Sequence, residues 1–571
     1  MRFFIPEWDD HVDPGYDFLT DTHSADHDED PQKNDAYMWE IFGIEKVPFD
    51  GVLVSIATIP ENSKKNLVLQ QDGVHNFLRL PNDFKIIGDC GAFTYKGQTI
   101  PPYKTSPVLK QYSDLGFNFG VSIDHLILPK YREQNKNRIK ITYDNGIEAF
   151  KEWKKKYKND FQLIVAVQGA EISDYINMFD DYYQHGIRNF AFGSLVKAPT
   201  FFIVKLIDAL IADIKKNKKT PEYIHFFGVA RCSLFQKFKE VEQLGVEVSF
   251  DSSSYLRKAW LTSAHTQFNY IDQSWEGYSA IRIPPKLKKS KEIPITPEDY
   301  NILSRKCLDS LRNYDNNQLS LEEITHKLKI FNEVLQEDPE LLIYYQRTLK
   351  SKPWKQCPCP ICKKNGIDVA IFRGNNRNRR RGFHNVFVFY EILKNEQLWE
   401  RCKKKEIKKR MKARERTSLE FLKDKKDVLI LTSCTKNKIN CDDFQKTEAR
   451  EMYQGTLFKK VKTYAETMNF DYKIISAQYG LLEPNDPIMK YNKRLRTNGD
   501  VESIRPEVEE KLVNQLSPYK TIVVIAGEKY RDVLFNLFFD ERFVFIKARG
   551  IGDMISIVSK AISKNKNLNQ F

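Results

Sequence analysis

The 571-residue chain contains few cysteines and no long apolar segment. Its nine cysteines are too sparse for a disulfide scaffold, which argues against a small secreted domain. No stretch approaches the roughly 18 uncharged apolar residues of a membrane span, and residues 1–7 lead into acidic residues instead of the apolar core of a signal peptide. We therefore expect a soluble, cytoplasmic protein of roughly two to four domains without a membrane partner.

Basic residues are concentrated in one part of the chain, whose overall net charge is +14. Residues 373–426 hold 19 Lys and Arg against 7 Asp and Glu, an excess of 12 positive charges. Such a run is typical of a surface that binds nucleic acid, while a solvated helix is the alternative. The predicted contacts to the phosphate backbone are four closely spaced arginines, Arg377, Arg379, Arg380 and Arg381.

The first fifty residues have the opposite composition, with 14 acidic against 3 basic side chains. They predict an irregular segment, residues 1–50, that covers the domain following it. His11, His23 and His27 lie in this segment without the fixed spacing of a metal site, so solvation is favoured over cation binding.

Residues 51–285 alternate short apolar runs with longer helical patterns. The apolar runs are typical of buried parallel strands and cover residues 51–56, 86–89, 119–124, 163–168, 189–193, 223–228 and 246–251. Seven such strands within about 200 residues indicate an α/β fold, a TIM (β/α)8 barrel whose strand ends meet on one rim. A helical pattern from Thr296-Pro297 onwards extends this predicted domain to residue 350.

Three of the predicted strands end in a carboxylate, at Asp89, Asp124 and Asp251. A strand-end Asp is often the N-cap of the next helix, and this alternative stays open for each. Together with Gln168-Gly169 and Gly193 at two further strand ends, they favour an active site at the barrel mouth. Neighbouring carboxylates can divide the roles of nucleophile and proton carrier, which substitution at a sugar anomeric carbon requires.

Two aromatic residues follow these strands closely. Phe93 comes four residues after Asp89, and Phe227 directly precedes Gly228. Either ring could belong to the core, but a position on a rim loop favours stacking on a flat heterocycle.

Residues 351–426 contain a compact group of metal-binding side chains. Cys357, Cys359 and Cys362 form a Cys-x-Cys-x2-Cys motif, and His384 follows near the start of a basic helix predicted from about 386 to 426. Three thiolates and one imidazole complete a tetrahedral Zn²⁺ shell with no open position, which predicts one structural zinc per chain. Three reduced thiols in a loop are the alternative.

An apolar strand pattern restarts after residue 426, which predicts a domain boundary there and a C-terminal domain over residues 427–571. Strands predicted at 427–432, 472–476, 521–526 and 543–546 each precede a glycine or polar turn, as in an open α/β sheet. The turns indicate anion or nucleoside recognition with Lys436 and Arg450, while packing alone is the alternative. Cys434 is disfavoured as a nucleophile because no histidine follows His384.

The motifs between about residues 50 and 400 resemble the tRNA-guanine transglycosylase family, zinc-containing TIM barrels that exchange guanine in a nucleic acid for a 7-deazaguanine. Residues 88–93 look like the family's Asp-x-Gly-Gly-Phe turn, and residues 250–251 look like its Phe-Asp pair. The remaining similar segments are residues 123–124, 167–169, 192–195, 226–229 and the group of Cys357, Cys359, Cys362 and His384-Asn385.

The resemblance implies specific roles for these residues. Asp251 would be the nucleophile and Asp89 would handle the proton. The residues that would bind the substrate base are Asp124, Gln168, Gly169, Gly193, Ser194, Phe93, Phe227 and Gly228.

Departures from the family's pattern bear on the substrate. The family continues with Pro-Thr-Arg after the nucleophile, whereas this chain has residues 252–254, Ser-Ser-Ser, so the polynucleotide-binding surface differs. Residues 3–10 and 13–18 look like the DpdA-type branch, which places 7-deazaguanines such as preQ0 in DNA. The resemblance thus implies a DNA-modifying pentosyltransferase with a covalent Asp251 intermediate.

Two alternatives stay open: an enzyme acting on tRNA, and an inactive nucleic-acid-binding scaffold. A homodimer is also open. Residues 427–571 resemble the DUF6884 type of domain.

Overall fold

The computed structural model describes residues 1–7, 9–56, 59, 63–261, 267–269, 274–287, 295–442, 444–516 and 518–568. Two compact units divide the chain. The first comprises Met1–Ala198 and Ile203–Cys402, and the second comprises Pro199–Phe202 and Lys403–Phe571.

The first unit contains a closed barrel of eight parallel strands in chain order. These are β1 (Arg2–Pro6), β2 (Gly51–Ser55), β3 (Ile86–Asp89), β4 (Phe119–Val121), β5 (Gln162–Val167), β6 (Asn189–Phe192), β7 (Tyr223–Phe226) and β8 (Glu247–Asp251). Their apolar side chains are buried, as expected for parallel strands covered on both faces. Strand β8 closes the barrel by pairing with β1, where Phe250 lies opposite Phe3. The predicted TIM barrel is confirmed.

Strand β1 lies in the segment predicted to be irregular, so that part of the prediction is wrong. Phe3, Phe4 and Ile5 are at most 3% exposed, because β1 is paired on both sides. The acidic composition of the first fifty residues hides this short apolar run. Three short helices follow β1: α1 (Ala25–Glu29), α2 (Pro31–Asn34) and α3 (Met38–Phe42).

Seven helices alternate with or follow the later barrel strands. They are α4 (Lys64–Phe77), α5 (Thr105–Leu115), α6 (Asn135–Lys156), α7 (Ile172–Gln184), α8 (Thr200–Lys216), α9 (Cys232–Glu242) and α10 (Ser254–Leu261). Among the residues that the structure describes, no helix combines the length and the apolar character needed to cross a membrane.

Short strands and helices extend the barrel unit. Strands β9 (Gln267–Asn269) and β10 (Ser274–Tyr278) pair with each other, as do β11 (Ile281–Arg282) and β12 (Ile371–Phe372). The helices are α11 (Pro297–Asp315), α12 (Leu321–Val334), α13 (Leu341–Ser351), α14 (Pro353–Gln356) and α15 (Pro360–Asn365). As predicted, Thr296 caps α11, since its hydroxyl accepts a hydrogen bond from the Asp299 amide at 3.1 Å.

The basic stretch forms two helices instead of the single predicted helix. Helix α16 (Gly374–Lys394) and helix α17 (Glu396–Ala413) are separated by Asn395, whose backbone is extended. His384 therefore lies within α16 and not near its start.

Three of the four arginines predicted to contact DNA are buried in α16. Arg377, Arg380 and Arg381 are 1%, 3% and 0% exposed. Arg377 pairs with Asp21 and with Asp368, whose carboxylate lies 2.9 Å from Nε. Arg380 and Arg381 donate to buried backbone carbonyls. Contrary to the prediction, these guanidinium groups have no free face for a phosphate backbone.

The fourth arginine and the later part of the basic stretch differ from these three. Arg379 is half-buried and donates to the His11 carbonyl at 2.5 Å. Lys404, Lys408 and Lys412 on α17 are exposed, and their spacing of four residues places them on one face of the helix. These exposed positive charges therefore lie on α17, C-terminal to the predicted arginines.

The second unit contains a six-stranded sheet in the order β13-β20-β19-β14-β16-β17. The strands of this unit are β13 (Glu415–Arg416), β14 (Val428–Ser433), β15 (Thr447–Glu448), β16 (Asp471–Ser476), β17 (Gly480–Leu482), β18 (Pro487–Ile488), β19 (Thr521–Ile525) and β20 (Phe543–Ile546). Its helices are α18 (Ala449–Met452), α19 (Thr456–Met468), α20 (Asn498–Val513), α21 (Glu528–Asp532) and α22 (Ile551–Leu568).

The six-stranded sheet is the open α/β sheet predicted for the C-terminal domain. All neighbouring strands are parallel except β16 and β17. The predicted boundary near residue 426 falls inside the second unit, because β13 pairs with β20 and adds residues 415–416 to the sheet.

We predict that Arg377→Met lowers the free energy of unfolding of the full chain by about 3 kcal/mol, because Asp21 and Asp368 would lose the cation buried between them. Chemical denaturation monitored by circular dichroism measures this change. Lys140→Met is the matched control, since its ion pair with Asp144 lies on the exposed face of α6. Equal stability of the two variants would contradict the structural role of Arg377.

Candidate active site

Three carboxylates converge at the mouth of the barrel. Asp89 ends β3, Asp251 ends β8, and Asp124 follows β4, so all three lie at carboxyl ends of parallel strands. One oxygen of Asp89 and one of Asp124 lie within 4.8 Å of each other and of the Cys90 sulfur. Asp89 and Asp124 therefore lie side by side at the strand ends of the barrel, and the catalytic roles of the three carboxylates stay predictions.

Burial raises the pKa of two of these groups, and neighbouring negative charges add to the effect at Asp89. Burial, together with the negative charges of Asp124 and Asp251, raises the pKa of Asp89 to about 7, even though the Gly91 amide, which donates to its carboxylate at 3.0 Å, favours the ionised form. Burial also raises the pKa of Asp124 to about 6. Near neutral pH, Asp89 can therefore both give and accept a proton.

Asp251 is held through one of its two oxygens. Its Oδ1 accepts a hydrogen bond from the Gly228 amide at 2.8 Å and lies 3.2 Å from His225 Nε2. Gly228 has a φ of +70°, and a Cβ there would lie 2.3 Å from Val196 Cγ2, so the turn that aims this amide requires glycine. Within the described part of the chain, no hydrogen bond reaches Oδ2 of Asp251.

His225 is a site residue that the sequence analysis missed. Its Nδ1 lies 2.7 Å from the Ser249 hydroxyl, which leaves Nε2 to face Asp251. His225 on β7 lies opposite Ser249 on β8, so their side chains point to the same side of the barrel. Asp251 lies two residues after Ser249 and therefore points to that side as well. The alternation of residues along β7 and β8 could therefore have placed His225 on the same side as Ser249 and Asp251, once the pairing of the two strands was known.

A chain of polar side chains orients Asp124. The Gln168 amide donates to Asp124 Oδ2, and the Ser194 hydroxyl donates to Gln168 Oε1 at 2.6 Å. The Ile127 amide donates to Ser194 Oγ at 2.8 Å and fixes the end of the chain. Position 193, next to Ser194, requires glycine, because a Cβ there would lie only 2.1 Å from Gln168 Nε2.

The other predicted base-binding residues lie at the same ends of the strands. Gly169 directly follows Gln168 and packs against Tyr175. Phe93 is 50% exposed and makes no ring contact among the described residues. Phe227 is half-buried, with its ring centroid 4.8 Å from that of His225. Phe93 thus has an open face, whereas Phe227 contributes to the packing around His225.

Cys357, Cys359, Cys362 and His384 form a separate, buried cluster that could hold a metal ion. His384 Nδ1 lies 3.4, 3.5 and 3.3 Å from the three sulfurs. Ligands bound at 2.0 to 2.3 Å around a tetrahedral ion lie roughly 3.5 Å apart, so this donor set fits such an ion closely. Four protein ligands leave no open position for a substrate.

Two comparisons with known proteins complete the description. Residues 429–551 match the family described as "Family of unknown function (DUF6884)", which confirms the predicted similarity of the C-terminal domain. A DNA-guanine transglycosylase of Salmonella montevideo is 31% identical over 424 residues, which cover 69% of this chain and 96% of that protein.

We predict that Asp89→Asn stabilises the protein at pH 8 by roughly 3 kcal/mol and has little effect at pH 4. The pKa of Asp89, raised from 3.8 to about 7, means that the native state binds its proton more tightly than the unfolded chain does. Wild-type stability from this group therefore falls as pH rises from about 4 to about 7. Urea denaturation across this pH range measures the effect. Asp72→Asn, at an exposed position of α4, is the control. Parallel plots of unfolding free energy against pH for the wild type and Asp89→Asn would contradict the prediction.

Proposed function

The chain belongs to the family of the DNA-guanine transglycosylase of Salmonella montevideo, and on this premise we propose that it replaces guanine in DNA with a 7-deazaguanine base such as preQ0. The observation that carries the proposal is that the three neighbouring carboxylates have different surroundings. Asp251 is restrained through Oδ1 alone, while burial raises the pKa of Asp89 to about 7. These are the distinct environments that a nucleophile and a proton carrier need.

The first half of the reaction breaks the glycosidic bond. Asp251 Oδ2 attacks C1′ of the target deoxyguanosine, and the bond between C1′ and N9 of guanine breaks. Protonated Asp89 gives its proton to the departing base, so neutral guanine leaves and a glycosyl ester of Asp251 remains. The hydrogen bonds from Gly228 and His225 keep the attacking carboxylate in one orientation.

The second half reverses these steps with a different base. Asp89, now ionised, takes the N9 proton of the incoming 7-deazaguanine. The nitrogen then attacks C1′ and displaces Asp251, which returns as a carboxylate. Asp89 ends protonated, so the cycle closes without an external proton source.

Recognition of the base falls to the polar chain beside this pair. The Asp124 carboxylate can accept hydrogen bonds from the N1–H and 2-amino groups that guanine and 7-deazaguanine share. Gln168, Ser194 and the close approach at Gly193 fix its orientation. Phe93 supplies an exposed aromatic face, and Phe227 closes the pocket beside Gly228.

The target nucleotide must leave the base stack to reach this site, which costs a few kcal/mol unless the strand is already single. The proposed contacts to the DNA backbone from the basic stretch are the exposed lysines Lys404, Lys408 and Lys412. The proposed occupant of the Cys3His cluster is Zn²⁺ in a structural role, since thiolate and imidazole ligands in this number suit that ion.

We predict that Asp251→Asn abolishes base exchange and leaves DNA binding within about tenfold of wild type, because the amide keeps the shape of the carboxylate but cannot form the ester. Release of radiolabelled guanine from DNA on addition of preQ0 measures exchange, and fluorescence anisotropy measures binding. The same assay with labelled tRNA identifies the nucleic acid.

Asp208→Asn, on helix α8, is the matched control and should exchange at the wild-type rate. Exchange by Asp251→Asn at the wild-type rate would contradict the assignment of the nucleophile. Exchange in tRNA with none in DNA would contradict the proposed substrate.

We also predict one tightly bound zinc per chain, and loss of both zinc and thermal stability in Cys359→Ala. Both losses should occur together, because a buried site of this kind couples metal binding to folding. Elemental analysis and a thermal melt of the same samples measure them, with buried Cys307→Ala as a control that keeps its zinc. Metal-free wild-type protein with the same melting temperature would rule out the site.

A further inference from the structure

The sheet of the second unit has a topological switch point between β14 and β19. After β14 the chain continues to β16 on one side, and after β19 it continues to β20 on the other side. The three strands β14, β16 and β19 are parallel, so their carboxyl ends lie at one edge of the sheet. In open α/β sheets, ligands bind outside the carboxyl ends of the strands at such a point.

Side chains from both sides of the switch point meet there. Cys434 directly follows β14, and Tyr530 lies on α21, which follows β19. The Cys434 sulfur and the Tyr530 hydroxyl are 3.1 Å apart. This contact brings together side chains that follow the ends of β14 and β19.

A second tyrosine is anchored at the end of β16. The Tyr491 hydroxyl lies 2.9 Å from Ser476 Oγ and 2.9 Å from the Tyr453 hydroxyl. Tyr491, like Tyr530, is only partly buried, so part of its ring stays accessible. Lys438 Nζ lies 4.1 Å from the centroid of the Tyr491 ring, which brings a cation next to these aromatic groups.

Two cations, Lys438 and Arg494, belong to this part of the second unit. Burial lowers the pKa of Lys438, and the positive charge of Arg494, three residues after Tyr491 in the chain, lowers this pKa as well. In the described part of the chain, neither Lys438 nor Arg494 forms an ion pair with a carboxylate. Arg450, which the sequence predicts for this site, instead pairs with Glu448 at 2.8 Å.

We propose that the switch-point cluster, formed by Cys434, Lys438, Ser476, Tyr491, Arg494 and Tyr530, binds a nucleotide. Lys438 and Arg494 hold its phosphate, because cations without carboxylate partners attract the negative charge of a phosphate group. The accessible faces of Tyr491 and Tyr530 contact its base. The same chemistry occurs in a free mononucleotide and in a nucleotide of single-stranded DNA, and the test separates these two sources.

The test uses the full-length chain and two fluorescent probes, a labelled deoxyguanosine 5′-monophosphate and a labelled single-stranded oligodeoxythymidine. Arg494→Gln is the primary variant, because the Arg494 side chain is exposed and we expect its replacement to leave the fold intact. Lys438→Gln is the second variant, and Arg450→Gln, which removes a cation already paired with Glu448, is the matched control. Melting temperatures verify that all variants are folded.

Both cluster variants should bind one of the probes at least about fivefold more weakly than wild type, while the control stays within about twofold. Weakened binding of the mononucleotide identifies a free nucleotide as the ligand, and weakened binding of the oligonucleotide alone identifies the DNA strand. Labelled deoxyguanosine should bind far more weakly than its monophosphate if the first source is correct. Unchanged affinity of both variants for both probes would overturn the proposal.

Base exchange by the barrel is measured in parallel with the same variants. It is an independent readout, so loss of nucleotide binding with intact exchange supports a second site. Absence of exchange in the wild-type protein would count against the proposed function of the barrel and not against the switch-point cluster.

Discussion

The crowding of three carboxylates at one end of a closed barrel is the constraint on which the site depends. Asp89, Asp124 and Asp251 belong to different strands, and only closure of the sheet brings their carboxyl ends to one rim. Away from water, neighbouring negative charges cannot all be stable near neutral pH. The protein resolves this conflict by an unequal distribution of hydrogen bonds, since the Gly228 amide and His225 support Asp251, while the pKa of Asp89 rises to about 7.

Contacts away from the three carboxylates hold the barrel unit together. Strand β1 pairs with β8 and so holds the end of the strand that carries Asp251. The N-terminal segment that follows β1 is tied to α16 by Arg377 and Arg380, through Asp21 and the Asp13 carbonyl. Helix α16 also carries His384 of the Cys3His cluster. The proposed metal site and the buried arginines therefore stabilise one helix within the barrel unit.

Local sequence patterns predicted the barrel strands, the Asp residues that end or follow three of them and the cysteine cluster, because each pattern can be recognised within a short stretch of the chain. Strand β1 was not predicted, because its five residues lie within a segment whose overall composition is acidic. The buried arginines could not be recognised, since the partners of Arg377 include Asp21, which lies 356 residues away. His225 was not predicted as a site residue, because its contact with Asp251 depends on the register between β7 and β8.

The central claim is that Asp251 forms a covalent bond with the sugar of its nucleic-acid substrate. The most direct measurement is peptide mass spectrometry of wild-type protein quenched with acid during its reaction with guanine-containing DNA and no incoming base. The account predicts that the peptide containing Asp251 carries a nuclease-trimmed deoxyribose phosphate remnant on that side chain. An adduct on a different residue, or guanine release without any adduct, would contradict it.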